Sequence, residues 1–200
     1  MASDAAAGPG GGGATGSGLE LDDRVALVVV DLQAGTTGQP TAHPVDEVIA
    51  HSAELLEAFR GHDLTVVLSS VDGTPGGRTA YGSGGREFPP GFGALRPELD
   101  RRPTDLAVIR RTWSAFAGTD LDHRLRERGI TQVVLAGLAT SFGVESTARQ
   151  AYDLGYGVVL AVDAMTDPRR SSHDASVGGV FPALGQVATA AEIVGRLGGR

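Results

Sequence analysis

From Arg24 onward, runs in which every position is apolar alternate with stretches whose apolar residues recur at helical spacing. "VALVVVDL", Val25 to Leu32, is a continuous β-branched run, the pattern of a central strand covered on both faces. "VDEVIAHSAELLEAFRGH" follows with helical spacing, and Gly61 is its stop signal. "LTVVLSSV" predicts a second strand and "DLAVIR" a short third. "TDLDHRLRERGI" opens on a Thr or Asp cap and ends near Gly129, which predicts a helix. "TQVVLAG" predicts a fourth strand, "VESTARQAYDLGY" a helix, "GVVLAVDA" a fifth strand, and "QVATA" a sixth before a closing helix. Such alternation means a mostly parallel sheet with helices on both faces. Right-handed crossovers then make the fold a three-layer, doubly wound, Rossmann-like α/β structure.

The patterning starts late. "MASDAAAGPGGGGATGSG" is dominated by Gly, Ala and Ser and has too little apolar surface to offset the cost of ordering it. Residues 1–20 are therefore expected to form a flexible arm, and residues 21–200 a single domain. The arm lacks the basic start and leucine-rich run of a signal peptide, and its glycines lack the Lys-Ser/Thr of a phosphate loop. The link from Asp72 to Asp105 carries many glycines and prolines. A connection of that length in a compact domain is usually a functional loop or lid.

Composition narrows the chemistry. The chain has no cysteine, so disulfides, thiolate metal sites and thiol catalysis are excluded. All 17 basic residues are arginine, which excludes a catalytic lysine. The net charge of -7 argues against a nucleic-acid or anionic-membrane surface, and no apolar run is long enough to span a bilayer. Cytoplasm is the default location.

Ligands of open α/β sheets bind beyond the carboxyl ends of the strands. Four features should meet there: Asp31 after the first strand, Arg110 after the third, the Gly137–Gly143 turn after the fourth, and Asp163 after the fifth. Singly, each has a plain explanation. Asp31 and Asp163 could cap turns or helices, Arg110 could pair with a nearby acid, and the turn lacks the G-x-G-x-x-G of a dinucleotide loop.

Together they carry a resemblance. "VVVDLQ", followed by "VIRRTWSAFAGTDLDHRLRERGITQVVLAGLATSFGVESTARQAYDLGYGVVLAVDA", resembles the isochorismatase-like hydrolase superfamily, from about Val25 to the C-terminus. That superfamily includes nicotinamidases, N-carbamoyl amidohydrolases and siderophore-pathway isochorismatases. The resemblance implies the isochorismatase-like hydrolase fold and an Asp–Lys–Cys triad in its amidase branch. Asp31 matches the Asp, Arg110 stands where the Lys would be, and Gly143 where the Cys would be. It also implies a cis peptide between Leu138 and Ala139, just before Thr140, with the Ala139 and Gly143 N–H groups turned into the pocket. The isochorismatase branch resembles this chain in carrying Gly at the Cys position; its members hydrolyse a vinyl ether without a covalent intermediate, with the Asp as proton donor. Nicotinamidases need a metal cluster after the second strand, but here "SSVDGTPGGRTAYG" has no histidine, so no metal and no other cofactor is implied.

Arginine at position 110 is not a conservative exchange for lysine, because a guanidinium forks a carboxylate and keeps its charge. Beside Asp31 it is expected to lower the carboxyl pKa, whereas an apolar pocket would push the other way. Gln33, Trp113 and Phe116 are further candidates to line a pocket for a planar or cyclic ligand, although core packing also accounts for the two aromatics. Arg78 could grip a substrate carboxylate from the long loop, or could simply be solvated. His173 reads as a structural residue at a helix start, and Arg149 as half of an ion pair or subunit contact. Two functions compete. One is a metal-free, thiol-independent hydrolase of a small cyclic carboxylate or related metabolite, acting by acid/base chemistry at Asp31. The other is a non-hydrolytic or inactive metabolite-binding protein on the same scaffold. A homodimer or homotetramer is expected from the resemblance and from the weakly charged C-terminal third.

Overall fold

A computed structural model describes residues 18–199. In chain order its elements are β1 (Val25–Val30), α1 (Ala34–Thr37), α2 (Val45–Gly61), β2 (Thr65–Val71), the hairpin strands β3 (Arg78–Thr79) and β4 (Gly82–Ser83), β5 (Leu106–Arg110), α3 (Leu121–Glu127), β6 (Gln132–Leu138), α4 (Glu145–Asp153), β7 (Gly157–Thr166), α5 (Arg170–Ala175), α6 (Phe181–Leu184), β8 (Gln186–Ala188) and α7 (Ala190–Gly198). The main sheet has the order β5-β2-β1-β6-β7-β8, and every neighbouring pair is parallel. The expected doubly wound α/β architecture is present, with β1 at its centre.

The apolar run of β1 is continuous because both faces are covered. Val25, Leu27 and Val29 join one core with Leu55, Leu56 and Phe59 of α2 and Ile193 and Leu197 of α7. Ala26, Val28 and Val30 join the other with Leu121 and Leu125 of α3, Ala148 and Ala151 of α4, and Phe181 of α6. Truncating a leucine buried this completely costs about 2–5 kcal/mol. The last helix starts on a capping box: Thr189 Oγ1 accepts from the Glu192 N–H, and the Thr189 N–H donates to Glu192.

The winding reverses between β1 and β6, and this is the switch point at which such sheets bind ligands. The backbones of the two strands are very close here. A Cβ on Gly137, which has φ 116°, would lie 2.0 Å from the Val30 carbonyl oxygen, so only glycine fits.

Three expectations need adjustment. β7 runs on to Thr166 instead of ending near Asp163, because a register shift between Leu135 and Gly137 lets the pairing resume at Met165 and Thr166. The long link is only partly free. Its exposed tip is the β3–β4 hairpin, but the Ala34 and Gly35 N–H groups bond the carbonyls of Ala94 and Phe92, and the Arg96 N–H bonds that of Leu32. The arm expected over 1–20 lies outside the described residues as far as 17; Leu19 packs on the core, and Glu20 bonds Gln132 and Gln186. Among the described residues no helix is long and apolar enough to cross a membrane.

Candidate active site

Asp31 directly follows β1, with φ 51° in the left-handed region that Asp tolerates better than most residues. Its N–H bonds the Ser69 carbonyl and its carbonyl accepts from Thr36 Oγ1 at 2.5 Å, so the conformation is held from both sides. Arg110, the last residue of β5, reaches across the end of β2 to the carboxylate. Its Nη1 donates to Oδ1 at 2.7 Å and its Nη2 to Oδ2 at 3.0 Å, while Nη2 also donates to the Trp113 carbonyl at 2.8 Å. The guanidinium side chain is 1% exposed, whereas the Asp31 side chain keeps 11%. The carboxylate is thus the member of the pair that an incoming molecule can touch.

Burial is the larger influence on Asp31. It pushes the carboxyl above its ordinary value, against the opposing hydrogen bonds and charge of Arg110. Of the two opposing influences expected at this position, desolvation outweighs the neighbouring cation.

The third component is the turn after β6. The Leu138–Ala139 peptide is cis. Residues Thr140–Val144 then make a single wide helical turn that leads into α4. Within it the Phe142 and Val144 N–H groups bond the Ala139 carbonyl, and the Thr147 hydroxyl bonds that of Gly143. Gly143 faces Asp31: a Cβ there would stand 3.2 Å from Asp31 Oδ2, 3.0 Å from the Leu138 oxygen and 2.9 Å from Val30 Cγ1. A side chain at this position would press on all three.

Of the further candidates, Gln33 is fully buried and acts as a clamp. Its Nε2 donates to the carbonyls of Val71 and Phe92, and its Oε1 accepts from the Val71 N–H, which leaves little for a ligand. Phe116 is a core residue stacked on Tyr156, not a pocket wall. Leu138 and Thr140 are also buried, and the Thr140 hydroxyl is bonded to His173. Trp113, 59% exposed, stands edge-on to Phe142 with ring centroids 5.0 Å apart. Arg78 is exposed on the distal hairpin. Arg149 pairs with Glu145 one turn away at 2.9 Å. Asp163 is structural: its Oδ1 accepts from the Ala190 N–H at the start of α7.

The sequence reading missed Asp167. This fully buried carboxylate accepts from the Ser141 N–H at 2.9 Å, the Ser141 hydroxyl at 2.7 Å and the Arg169 N–H at 3.0 Å. Its position just before Pro168, two residues from the N–H it caps, was the available signal. Among the described residues no three metal-ligating side chains come together.

The doubly wound α/β sheet, with Asp31 and a tight turn meeting at its switch point, is the setting in which α/β hydrolytic enzymes bind their ligands. The chain belongs to the isochorismatase family of hydrolases: the model of the isochorismatase domain matches residues 25–192. It is 36% identical over 188 residues to the uncharacterized isochorismatase family protein YwoC of Bacillus subtilis, covering 88% of this chain and 96% of that one. Among solved structures it resembles an isochorismatase family protein from Burkholderia thailandensis with a TM-score of 0.86 and 39% identity, covering 91% of this chain and 100% of that one. Over 101 residues it is 37% identical to the ureidoacrylate amidohydrolase RutB of Variovorax paradoxus, spanning 50% of this chain and 40% of that protein.

Proposed function

We propose that the protein hydrolyses a small cyclic carboxylate or related metabolite without a thiol and without a metal, by acid/base chemistry at Asp31. The observation that carries this reading is the position of Asp31 Oδ2, 3.2 Å from where a side chain at Gly143 would begin. The carboxyl itself borders the space in which the family's amidases carry their nucleophile. A carboxyl lifted by burial is suited to delivering a proton to the scissile group, after which water completes the hydrolysis. Where the scissile bond is that of an amide or ester, water adds to the carbonyl carbon as its π electrons move to oxygen. The Ala139 and Gly143 N–H groups are the proposed partners of that oxyanion, and the Asp31 proton goes to the leaving group. Arg110, whose buried Nε has no hydrogen-bond partner among the described residues, holds the carboxyl and is not itself offered to the ligand.

A second reading has one observation in its favour. Both Asp31 oxygens are engaged by Arg110, an arrangement that suits a metabolite-binding protein with no turnover. A panel of chorismate-like vinyl ethers, carbamoyl amides and simple amides, scored both for thermal stabilisation and for product release, separates the two. Product release from one chemical class supports hydrolysis; stabilisation with no release from any compound supports the second reading. The same proposal includes a homodimer or homotetramer, supported by exposed Tyr152 on α4 and Val187 on the edge strand β8. Light scattering that returns the 20.5 kDa of a single chain would remove it.

A further inference from the structure

The Gly143 turn is held from behind by a buried polar cluster that the proposed chemistry does not use. His173, on α5, is 6% exposed, and its Nδ1 shares a hydrogen bond of 2.9 Å with the hydroxyl of fully buried Thr140. Its ring meets the edge of a second imidazole, His43, with centroids 4.6 Å apart. His43 comes from the segment before α2 and is tied to the end of β7, where its N–H donates to Thr166 Oγ1 at 3.0 Å. Next to it the Ala42 N–H bonds the Asp167 carbonyl, and Arg170 donates to the Ala42 carbonyl. Two histidines 130 residues apart in sequence thus meet behind the turn that faces Asp31.

We propose that His173 is a positioning residue: through Thr140 it couples its own protonation to the placement of the Gly143 turn, and His43 biases that coupling. The inference rests on the reading that this turn borders the reacting site. In the tautomer in which Nδ1 accepts from the Thr140 hydroxyl, protonation of the ring leaves no acceptor there, so the bond reverses and the hydroxyl hydrogen must turn to another acceptor. Thr140 is fully buried, so the redirected hydroxyl draws on acceptors within the turn itself, and Gly143 is only three residues on.

Burial sets the direction at His173, and the charged groups around it modify the result. His43 faces it from the segment before α2, Asp167 from the end of β7, and Arg170 and Asp174 from its own helix. Glu145 of α4 accepts from Ser176 just beyond that helix and is paired with Arg149. Burial, and after it His43, hold the His173 value below its ordinary 6.5, with Asp174 and Asp167 opposing. The turn is therefore in its resting arrangement above that pH, and the coupling acts only on acidification.

The test is a substrate-free NMR titration of the whole protein, which follows the histidine imidazole and backbone amide signals between about pH 8 and about pH 5. The Thr140 and Gly143 amides should shift with the same midpoint as His173, below 6.5. Thr140→Val should leave His173 titrating while the Gly143 amide loses that midpoint. His43→Phe keeps a ring edge and removes an influence that lowers the His173 value, so the shared midpoint should rise. An Asp31→Asn variant should retain the response, which separates it from titration at the carboxyl. A Gly143 amide that stays flat while His173 titrates would overturn the proposal, as would an unchanged response in Thr140→Val. Because no substrate is present, failure of the hydrolytic reading leaves this result intact, and the reverse also holds.

Discussion

The ends of β1 and β7 each present a buried aspartate to the same turn, and the two differ in what surrounds them. Asp167 is saturated by groups that cannot leave: a backbone N–H and a hydroxyl of Ser141, and the N–H of Arg169. Asp31 is held by one side chain, Arg110, and keeps an edge towards Gly143 and the surface. Burial raises the Asp31 carboxyl above its ordinary value. A buried carboxylate becomes available for chemistry when its partner is another side chain and one oxygen still borders open space. When backbone donors consume it, it is scaffold.

Arg110→Met should break this comparison most severely. It leaves Asp31 in a buried site with no counter-charge, and loss of one partner of a buried pair costs about 3–5 kcal/mol. Urea denaturation near neutral pH measures the loss. Adding Asp31→Asn to the same chain should recover part of it, since the unpaired charge is then gone.

Asp167→Ala comes next. Loss of charge-assisted bonds to Ser141 and Arg169 should cost about 2–3 kcal/mol, and amide exchange should rise in Thr140–Val144 while β1 stays protected. Equal exchange in both segments would mean that Asp167 does not hold the turn specifically.

Gly143→Cys should have the smallest effect on stability, about 1–3 kcal/mol, because its Cβ must displace Val30 and the Leu138 carbonyl by a few tenths of an ångström. Combined with Arg110→Lys it restores the residue types of the amidase triad. Weak hydrolysis of simple amides by the folded double variant would show that only the triad has diverged. Its absence would extend the divergence to the pocket.

The main strands were legible in the sequence because each is a run of apolar residues buried on at least one face, as Val25–Val30 and Gln132–Leu138 are. Asp31, Arg110 and the Gly137–Gly143 turn were legible as charged or glycine punctuation at the ends of those runs. The clamping bonds of Gln33 were not legible because its chemistry suits a ligand as well as it suits two backbone carbonyls 38 and 59 residues away. Phe116 was ambiguous for a related reason: an aromatic one turn from a site and one in the core look alike until Tyr156 stacks on it. Asp167, and the Thr140 partner of His173, could not be read because Ser141 and Thr140 lie more than twenty residues from the groups they bond and show no local periodicity. The net direction at Asp31 could not be read at all, since it depends on how much water burial removes.

The most direct test of the account is Asp31→Asn, assayed on whichever compound the panel shows to be turned over. Asparagine keeps the shape and much of the hydrogen-bonding reach of aspartate but cannot carry the proton. General acid–base groups contribute about 10²–10⁴-fold, so the rate should fall at least about a hundredfold while the circular dichroism spectrum and oligomeric state stay unchanged. A well-folded Asp31→Asn protein that turns over the same compound at the wild-type rate would contradict catalysis by this carboxyl.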